Sequence, residues 1–218
     1  MDKYGDNIIN ISEDYFDRDP SFSPDGKKIV VSSADGIVYM NSNGTNRVNL
    51  TNNLFDSFPE WSPGGEKIVY SEGINYGITI IDLYKNKQTF TNPINGNMHT
   101  NPFWIAYNKI IFGSIFPEGI YSINSNGSNL EQIFASSEII HTFPEVSYSS
   151  ILNKLLFTCE GGNYNRDVCV SNLDGTNIIN LTDKPSNDYD ASFSPNGKEI
   201  IFVSDRDGSE QIYKMILK

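Results

Sequence analysis

The sequence is poor in the residues that usually disclose chemistry. It holds two cysteines and two histidines in 218 residues, too few for a disulfide framework, and no Cys/His spacing matches a zinc site. Basic residues are also scarce. Lys and Arg number 16 against 27 Asp and Glu, a net charge of −11. Nucleic acid and anionic membranes both demand a basic footprint, so neither suits this chain. No apolar run approaches the roughly 18 residues of a membrane span, and no membrane insertion is expected. The opening Met1-Asp2-Lys3-Tyr4-Gly5-Asp6 is polar and acidic and does not read as a signal peptide. There is no Gly-x-Ser-x-Gly elbow of a serine hydrolase and no sustained 3.6-residue periodicity of a helix. What remains, 38% hydrophobic and 20% charged, is the balance of a globular chain.

The chain repeats. Pro20-Ser-Phe-Ser-Pro-Asp-Gly-Lys-Lys-Ile-Val30 recurs as Pro59-Glu-Trp-Ser-Pro-Gly-Gly-Glu-Lys-Ile-Val69 and as Ala191-Ser-Phe-Ser-Pro-Asn-Gly-Lys-Glu-Ile-Ile201. Weaker copies begin at Pro102 and Pro144. The anchors 20, 59, 102, 144 and 191 lie 39, 43, 42 and 47 residues apart, the length of a four-stranded propeller blade. Each unit carries two short β-branched or aromatic runs. The first are Ile29-Val30-Val31, Ile68-Val69-Tyr70, Ile110-Ile111-Phe112, Leu155-Leu156-Phe157 and Ile200-Ile201-Phe202. They are apolar on both faces, as in strands covered on both sides. The second are Ile37-Val38-Tyr39, Ile78–Ile81, Ile120–Ile123, Val168-Cys169-Val170 and Ile212-Tyr213. Asp25-Gly26, Asp35-Gly36 and Asn43-Gly44 punctuate them, and such dipeptides accept the positive φ of tight hairpins.

The pattern predicts an all-β chain, a five-bladed β-propeller of four-stranded antiparallel blades spanning residues 1–218 as one domain. The blades fall at about 13–51, 52–91, 92–134, 135–182 and 183–218. The outer-strand string Asn177-Ile-Ile-Asn-Leu-Thr182 has a near copy in Asn7-Ile-Ile-Asn-Ile-Ser12, while the C-terminal blade stops after its third strand. Residues 1–12 are therefore expected to close the ring by completing the C-terminal blade. Such a latch removes two exposed edges and implies a whole propeller and a monomer. The second residue after each anchor is Phe22, Trp61, Trp104, Val146 or Phe193, a position expected to wedge between neighbouring blades. Cys159 and Cys169 flank Glu160–Arg166 and are expected on neighbouring strands. A cross-strand disulfide of an exported protein and a pair of free thiols in a reducing compartment both fit.

These motifs resemble the TolB-type, WD-like β-propeller repeat. The likeness rests on Asp-x-x-Pro-x-Phe/Trp-Ser-Pro-Asp-Gly-Lys-x-Ile, an Ile-Tyr strand, and Asp/Asn-Gly-x-Asn-x-x-Asn-Leu-Thr. It covers essentially the whole chain and is strongest in the first, second and fifth copies. The third and fourth copies lack Ser-Pro-Asp-Gly. The resemblance implies a propeller used mostly as a binding surface, often bacterial, in the cell envelope or secreted. Related propellers cap prolyl-peptidase-type hydrolases or act as metal-dependent sugar lyases, but fold likeness does not transfer an activity.

Topology narrows where a site can lie. The first-to-second and third-to-fourth turns of each blade share one face and are short and alike. The second-to-third loops share the other face with the connections between blades, and these vary: Ser71–Gly77, Gly113–Gly119, Thr158–Asp167 and Asp205–Glu210. They carry Asn75, Tyr76, Phe116, Tyr164, Arg166 and Arg206, and variable loops on a rigid scaffold are the usual seat of binding. Three residues before each anchor stand Asp17, Asp56, His99, His141 and Asp188. In a closed propeller these equivalent positions ring the channel mouth, where three carboxylates and two imidazoles can hold a divalent cation or a cationic ligand. The competing reading is that each Asp or His caps loop amides, repeat by repeat. Asp205-Arg206-Asp207-Gly208 looks like part of a calcium loop but lacks the twelfth ligand and reads as a polar hairpin.

The sequence thus points to a non-catalytic module that binds a protein, peptide or glycan through the variable loops and channel mouth, with no cofactor required. The alternative is a small metal-dependent lyase or glycosidase acting at the channel mouth.

Overall fold

The computed structural model describes residues 10–12, 16–74, 77–90, 99–115, 118–135, 146–162 and 165–217, with the side chains of residues 99, 100, 115, 118 and 135 left aside. Among the described residues every regular element is a strand. The sheets form two compact units, residues 1–91 and 92–218.

The first unit holds two antiparallel sheets, each an up-and-down meander. The first runs through β1 (Arg18–Phe22), β2 (Lys28–Ser33), β3 (Gly36–Asn41) and β4 (Val48–Asn49). The second runs through β5 (Ser57–Trp61), β6 (Lys67–Glu72), β7 (Gly77–Asp82) and β8 (Lys87–Phe90). Alternation puts every second side chain on one face, and the two facing surfaces interlock. Val30, Ile37 and Leu50 of the first sheet pack on Trp61, Ile68, Tyr70 and Ile81 of the second.

The second unit holds three sheets. The third comprises β9 (His99–Ala106), β10 (Lys109–Ile115), β11 (Glu118–Asn124) and β12 (Glu131–Ala135). The fourth comprises β13 (Val146–Ser149), β14 (Lys154–Glu160), β15 (Arg166–Asn172) and β16 (Ile179–Asn180). The fifth has three strands among the described residues, β17 (Asp188–Phe193), β18 (Glu199–Ser204) and β19 (Gln211–Ile216). Strand β14 shows the logic of a central blade. Leu155, Phe157 and Cys159 turn to Ile111, Ile120 and Phe134 of the third sheet, whereas Leu156 turns to Ile200 and Phe202 of the fifth.

Both predicted apolar runs of every repeat lie in strands, and the five repeats give five sheets. The Ser-Pro-Asp-Gly turn is explained by its bonds. Ser23 Oγ accepts the Lys28 amide at 2.9 Å and donates to Asp25 Oδ1 at 2.7 Å, and Asp25 Oδ1 accepts the Lys27 amide at 3.0 Å. Ser194 and Asn196 repeat the arrangement in the fifth sheet. Gly44 takes φ 86° in the predicted Asn-Gly turn, and a Cβ there would meet the Ile11 carbonyl oxygen at 2.3 Å. Beside that contact, Ile11 packs on Ile29, Val31, Val38 and Met40. Of the expected closing strand only Asn10–Ser12 is described, and residues 1–9 lie outside the described residues.

Three features depart from, or decide among, the sequence expectations. First, the wedge position is not uniform. Trp61 is 3% exposed at the seam of the first two sheets, whereas Phe22 is 64% exposed. Second, Ile201, from a run read as apolar on both faces, is 50% exposed on β18, and Ile212 is 77% exposed on β19. Third, Cys159 and Cys169, left open as bonded or free, form a disulfide across β14 and β15, with Cα atoms 5.8 Å apart.

One recurrent feature had no sequence signal. Asp19, Phe58, Asn101 and Asp190 take φ of 52°, 55°, 49° and 53°. All four sit at the register shift between the first two strands of their sheets, a bulge that bends each leading strand.

Candidate functional site

The three aspartates three residues before the anchors are each engaged within their own unit. Asp17, just ahead of β1, accepts hydrogen bonds from Arg47, with Nη1 to Oδ2 at 2.7 Å, and from Ser12. Burial alone would raise its pKa. The bonds from Arg47 and Ser12 and the guanidinium charge outweigh burial and hold the carboxyl below the usual range. Asp56, just ahead of β5, is 2% exposed and accepts the Gly73 amide at 2.9 Å. Burial pushes this carboxyl up, against the bonds from Thr51 and Gly73, and the Glu72 charge adds to the rise. Asp188, the first residue of β17, is fully buried. Both its oxygens accept from Arg206 Nη2 at 3.2 Å, and Ser186 Oγ donates from 3.3 Å.

Each aspartate therefore ties its leading strand to a loop, by an amide at Asp56 and by a guanidinium at Asp17 and Asp188. His99 opens β9, and its side chain lies outside the described residues, as does all of His141. Among the described residues no three His, Cys, Asp or Glu side chains group as metal ligands.

The variable-loop candidates divide in the same way. Asn75, Tyr76, Phe116 and Tyr164 lie outside the described residues. Arg206 is held internally. Besides Asp188, its Nε bonds Ser204 Oγ at 2.9 Å, and its guanidinium lies 4.7 Å from the Tyr213 ring centre and 5.3 Å from that of Phe202. Arg166, the first residue of β15, lies 4.7 Å above the ring of Tyr189, and its amide donates to Asn187 Oδ1. The Tyr189 hydroxyl donates to Glu210 Oε1 at 2.5 Å. That bond, with burial second, pushes the phenol up to about 12. Tyr189 is thus gripped over its face by a cation and at its tip by a carboxylate, at the loop end of the fourth and fifth sheets.

Sequence reasoning passed over Tyr189, Glu210, Asn165 and Asp167. Tyr189 had a legible signal, because it is an aromatic next to a repeated Asp where the other copies carry Arg18, Ser57, Thr100 and Thr142. At the opposite end of the second unit lies a groove of about 610 Å³ lined by Lys109, Glu131, Ile133, Leu152, Asn172 and Asp174 among others. Short alike hairpins rim it, and no buried polar group of the loop end reaches it.

No protein-family model and no curated protein sequence matches the chain. Solved structures do. TolB from Acinetobacter baumannii superposes with a TM-score of 0.72 at 18% identity, covering 92% of this chain and 51% of that one. The fold is that of a TolB-like β-propeller. Oligogalacturonate lyase from Vibrio parahaemolyticus matches with a TM-score of 0.68 at 16% identity, over 90% of this chain and 61% of that one. A chain of a nidogen/laminin complex matches with a TM-score of 0.69 at 11% identity, over 91% of this chain and 74% of that one. This TolB-like chain thus spans about half the length of the TolB chain it matches. At these identities the likeness is one of fold.

Proposed function

We propose that this TolB-like propeller is a non-catalytic binding module that engages a protein, peptide or glycan through the loop end of its blades. The observation that carries the reading is the Tyr189 ring, partly exposed and held between the Arg166 guanidinium and the Glu210 carboxylate. A tyrosine fixed before a ligand arrives loses little conformational freedom on binding. Its amphipathic ring stacks on a sugar face or an aliphatic peptide side chain. The Arg166 and Glu210 heads beside it supply directional bonds of both signs. Among similar chains one is an oligogalacturonate lyase and one comes from a nidogen/laminin complex, so the fold occurs both in an enzyme and in a protein complex. The exposed aromatic platform favours recognition.

The test is a screen of oligosaccharide and peptide arrays, followed by affinity measurement for each hit. Tyr189→Ala and Arg166→Ala should each weaken a genuine ligand at least tenfold while the melting temperature stays within a few degrees of the parent. Hits whose affinity is indifferent to both substitutions refute the assignment of this surface. Turnover of a hit, followed by mass spectrometry, refutes the non-catalytic reading and favours the lyase or glycosidase alternative.

A further inference from the structure

Two side chains at the start of β15, Asn165 and Asp167, are buried beside the turn from β14. The Gly161 amide donates to the Asn165 carbonyl at 2.8 Å and closes the turn. Asn165, 7% exposed, points beneath it. Its Nδ2 lies 2.7 Å from the Lys184 carbonyl oxygen, 2.7 Å from that of Ser186, 3.0 Å from Asp167 Oδ1 and 3.4 Å from the Arg166 carbonyl oxygen. A side-chain amide carries two protons, so four oxygens converge on a group that can serve two.

The convergence includes a charge. Asp167 is 0% exposed. Its partners among the described residues are neutral: Asn165, Asn180 Nδ2 at 2.7 Å and Thr182 Oγ1 at 3.4 Å. A buried carboxylate without a cation is costly unless it is paired or binds a metal. The backbone also makes room. A Cβ at Gly161 would stand 2.4 Å from Asp167 Oδ2 and 2.6 Å from Asn165 Oδ1, so a larger residue there would have to push these two side chains aside.

We propose that this cage is a calcium-class cation site, with the ion where the Asn165 nitrogen now lies and the Asn165 side chain rotated aside so that Oδ1 faces the ion. Asn165 Oδ1, Asp167 Oδ1 and the Lys184 and Ser186 carbonyls are the protein ligands, an all-oxygen set of the kind Ca²⁺ takes. The spacing about the nitrogen exceeds Ca–O distances of about 2.3–2.6 Å by a few tenths, and it is far from the tight octahedron of Mg²⁺ at about 2.0–2.1 Å. The set draws two ligands from carbonyls and one from an amide, which is why it forms no cluster of acids. It uses none of Asp17, Asp56 and Asp188, although the Ser186 hydroxyl also donates to Asp188, and it joins the β14–β15 turn to the 183–187 connection that leads into Tyr189.

The protein, stripped with EGTA, is titrated with CaCl₂ and with MgCl₂ by calorimetry and by melting. Wild type should take up one calcium per chain, with the melting temperature raised and with magnesium at least tenfold weaker. Asp167→Asn should weaken calcium at least tenfold. Asn165→Asp is the sharper variant. Without calcium it sets a carboxylate against two carbonyls and Asp167, so it should melt well below wild type, and millimolar calcium should restore it. If Asn165 is only a strap between two loops, Asn165→Asp stays destabilised with or without calcium, and the proposal fails. It fails equally if wild type takes up no calcium at millimolar concentration, or if Asp167→Asn binds as well as wild type.

Discussion

Two residues at one repeat position, Phe22 and Trp61, should respond to truncation in opposite ways. Trp61 fills the seam between the first two sheets and is 3% exposed. Its removal costs the transfer free energy of the ring and leaves a cavity lined by Val30, Ile37, Tyr70 and Ile81, about 3–5 kcal/mol for Trp61→Ala. At about 2–4 °C per kcal/mol for a chain of this size, the melting temperature should fall by roughly 6–20 °C. Phe22 is 64% exposed. Phe22→Ala opens no cavity and gives up about a third of a side-chain burial worth about 2 kcal/mol, so its cost stays below about 1 kcal/mol. A third variant checks the mechanism. Among the described residues the buried Trp61 indole nitrogen has no hydrogen-bond partner, and such a group carries a desolvation penalty of about 1–3 kcal/mol. Trp61→Phe should therefore cost much less than the lost ring area suggests. Urea unfolding followed by far-ultraviolet dichroism measures all three midpoints. Equal losses for Phe22→Ala and Trp61→Ala would overturn the assignment of Phe22 as exposed and Trp61 as buried.

The Cys159–Cys169 disulfide spans 10 residues of sequence, and chain-entropy reasoning assigns such a cross-link about 3 kcal/mol. Reduction, or Cys159→Ala with Cys169→Ala, should lower the melting temperature by about 6–12 °C, and alkylation under denaturing, non-reducing conditions should label neither cysteine. Asp17 and Asp56 should shape the pH dependence with opposite signs. The lowered pKa of Asp17 adds stability above the unfolded carboxyl value near 3.8, lost as pH falls through the lower folded value. The raised pKa of Asp56 adds stability below that value, lost as pH rises through the higher folded value. Asp17→Asn should therefore destabilise at pH 7 and converge on wild type in acid. Asp56→Asn, which can still accept the Gly73 amide, should be least harmful at pH 7 and compare less well with wild type near pH 3. Melting curves from pH 3 to 8 decide both, and parallel profiles for the two variants would show the assigned signs to be wrong.

The strands and turns were legible because their causes are local. Two apolar runs and a Ser-Pro-Asp-Gly hairpin recur in register, and each hairpin is built from bonds among five or six consecutive residues. The leading-strand bulge was not legible. It needs positive φ, and the positions hold Asp19, Phe58, Asn101 and Asp190 in place of glycine. Three of the four are residue types that tolerate that region, but Phe58 does not and is held there by the surrounding sheet. The exposure of Ile201 and Ile212 was illegible for another reason. Ile201 and Ile212 have the composition of covered strand residues, and coverage is a property of the neighbour, not of the run. The repeated aspartates were readable as a pattern, and what each one does was not. Arg47 lies 30 residues beyond Asp17 and Arg206 lies 18 beyond Asp188, and no spacing rule links them.

That contrast bears on where recognition resides in a repeat protein. A residue that recurs in three of five copies meets a need that those copies share, and here the need is to tie the leading strand to a loop. Asp17, Asp56 and Asp188 meet it with an arginine, an amide and another arginine. Among these three copies the partner varies while the aspartate does not. Specificity has to come from positions released from that constraint. The residue after the aspartate is such a position. It is Arg18, Ser57 and Tyr189 in the three sheets that carry Asp, and only the tyrosine is fixed by partners from two other elements, Arg166 on β15 and Glu210 ahead of β19. A fixed ring serves no purpose common to the repeats. Its neighbours Asn165 and Asp167 are equally unrepeated, and they too are brought together by loops of a single blade and the connection that follows it. The unrepeated, pre-ordered residues therefore cluster at one end of the fourth and fifth sheets. A ligand surface built by divergence of copies on a common scaffold would have this distribution, and a surface kept only for folding would not.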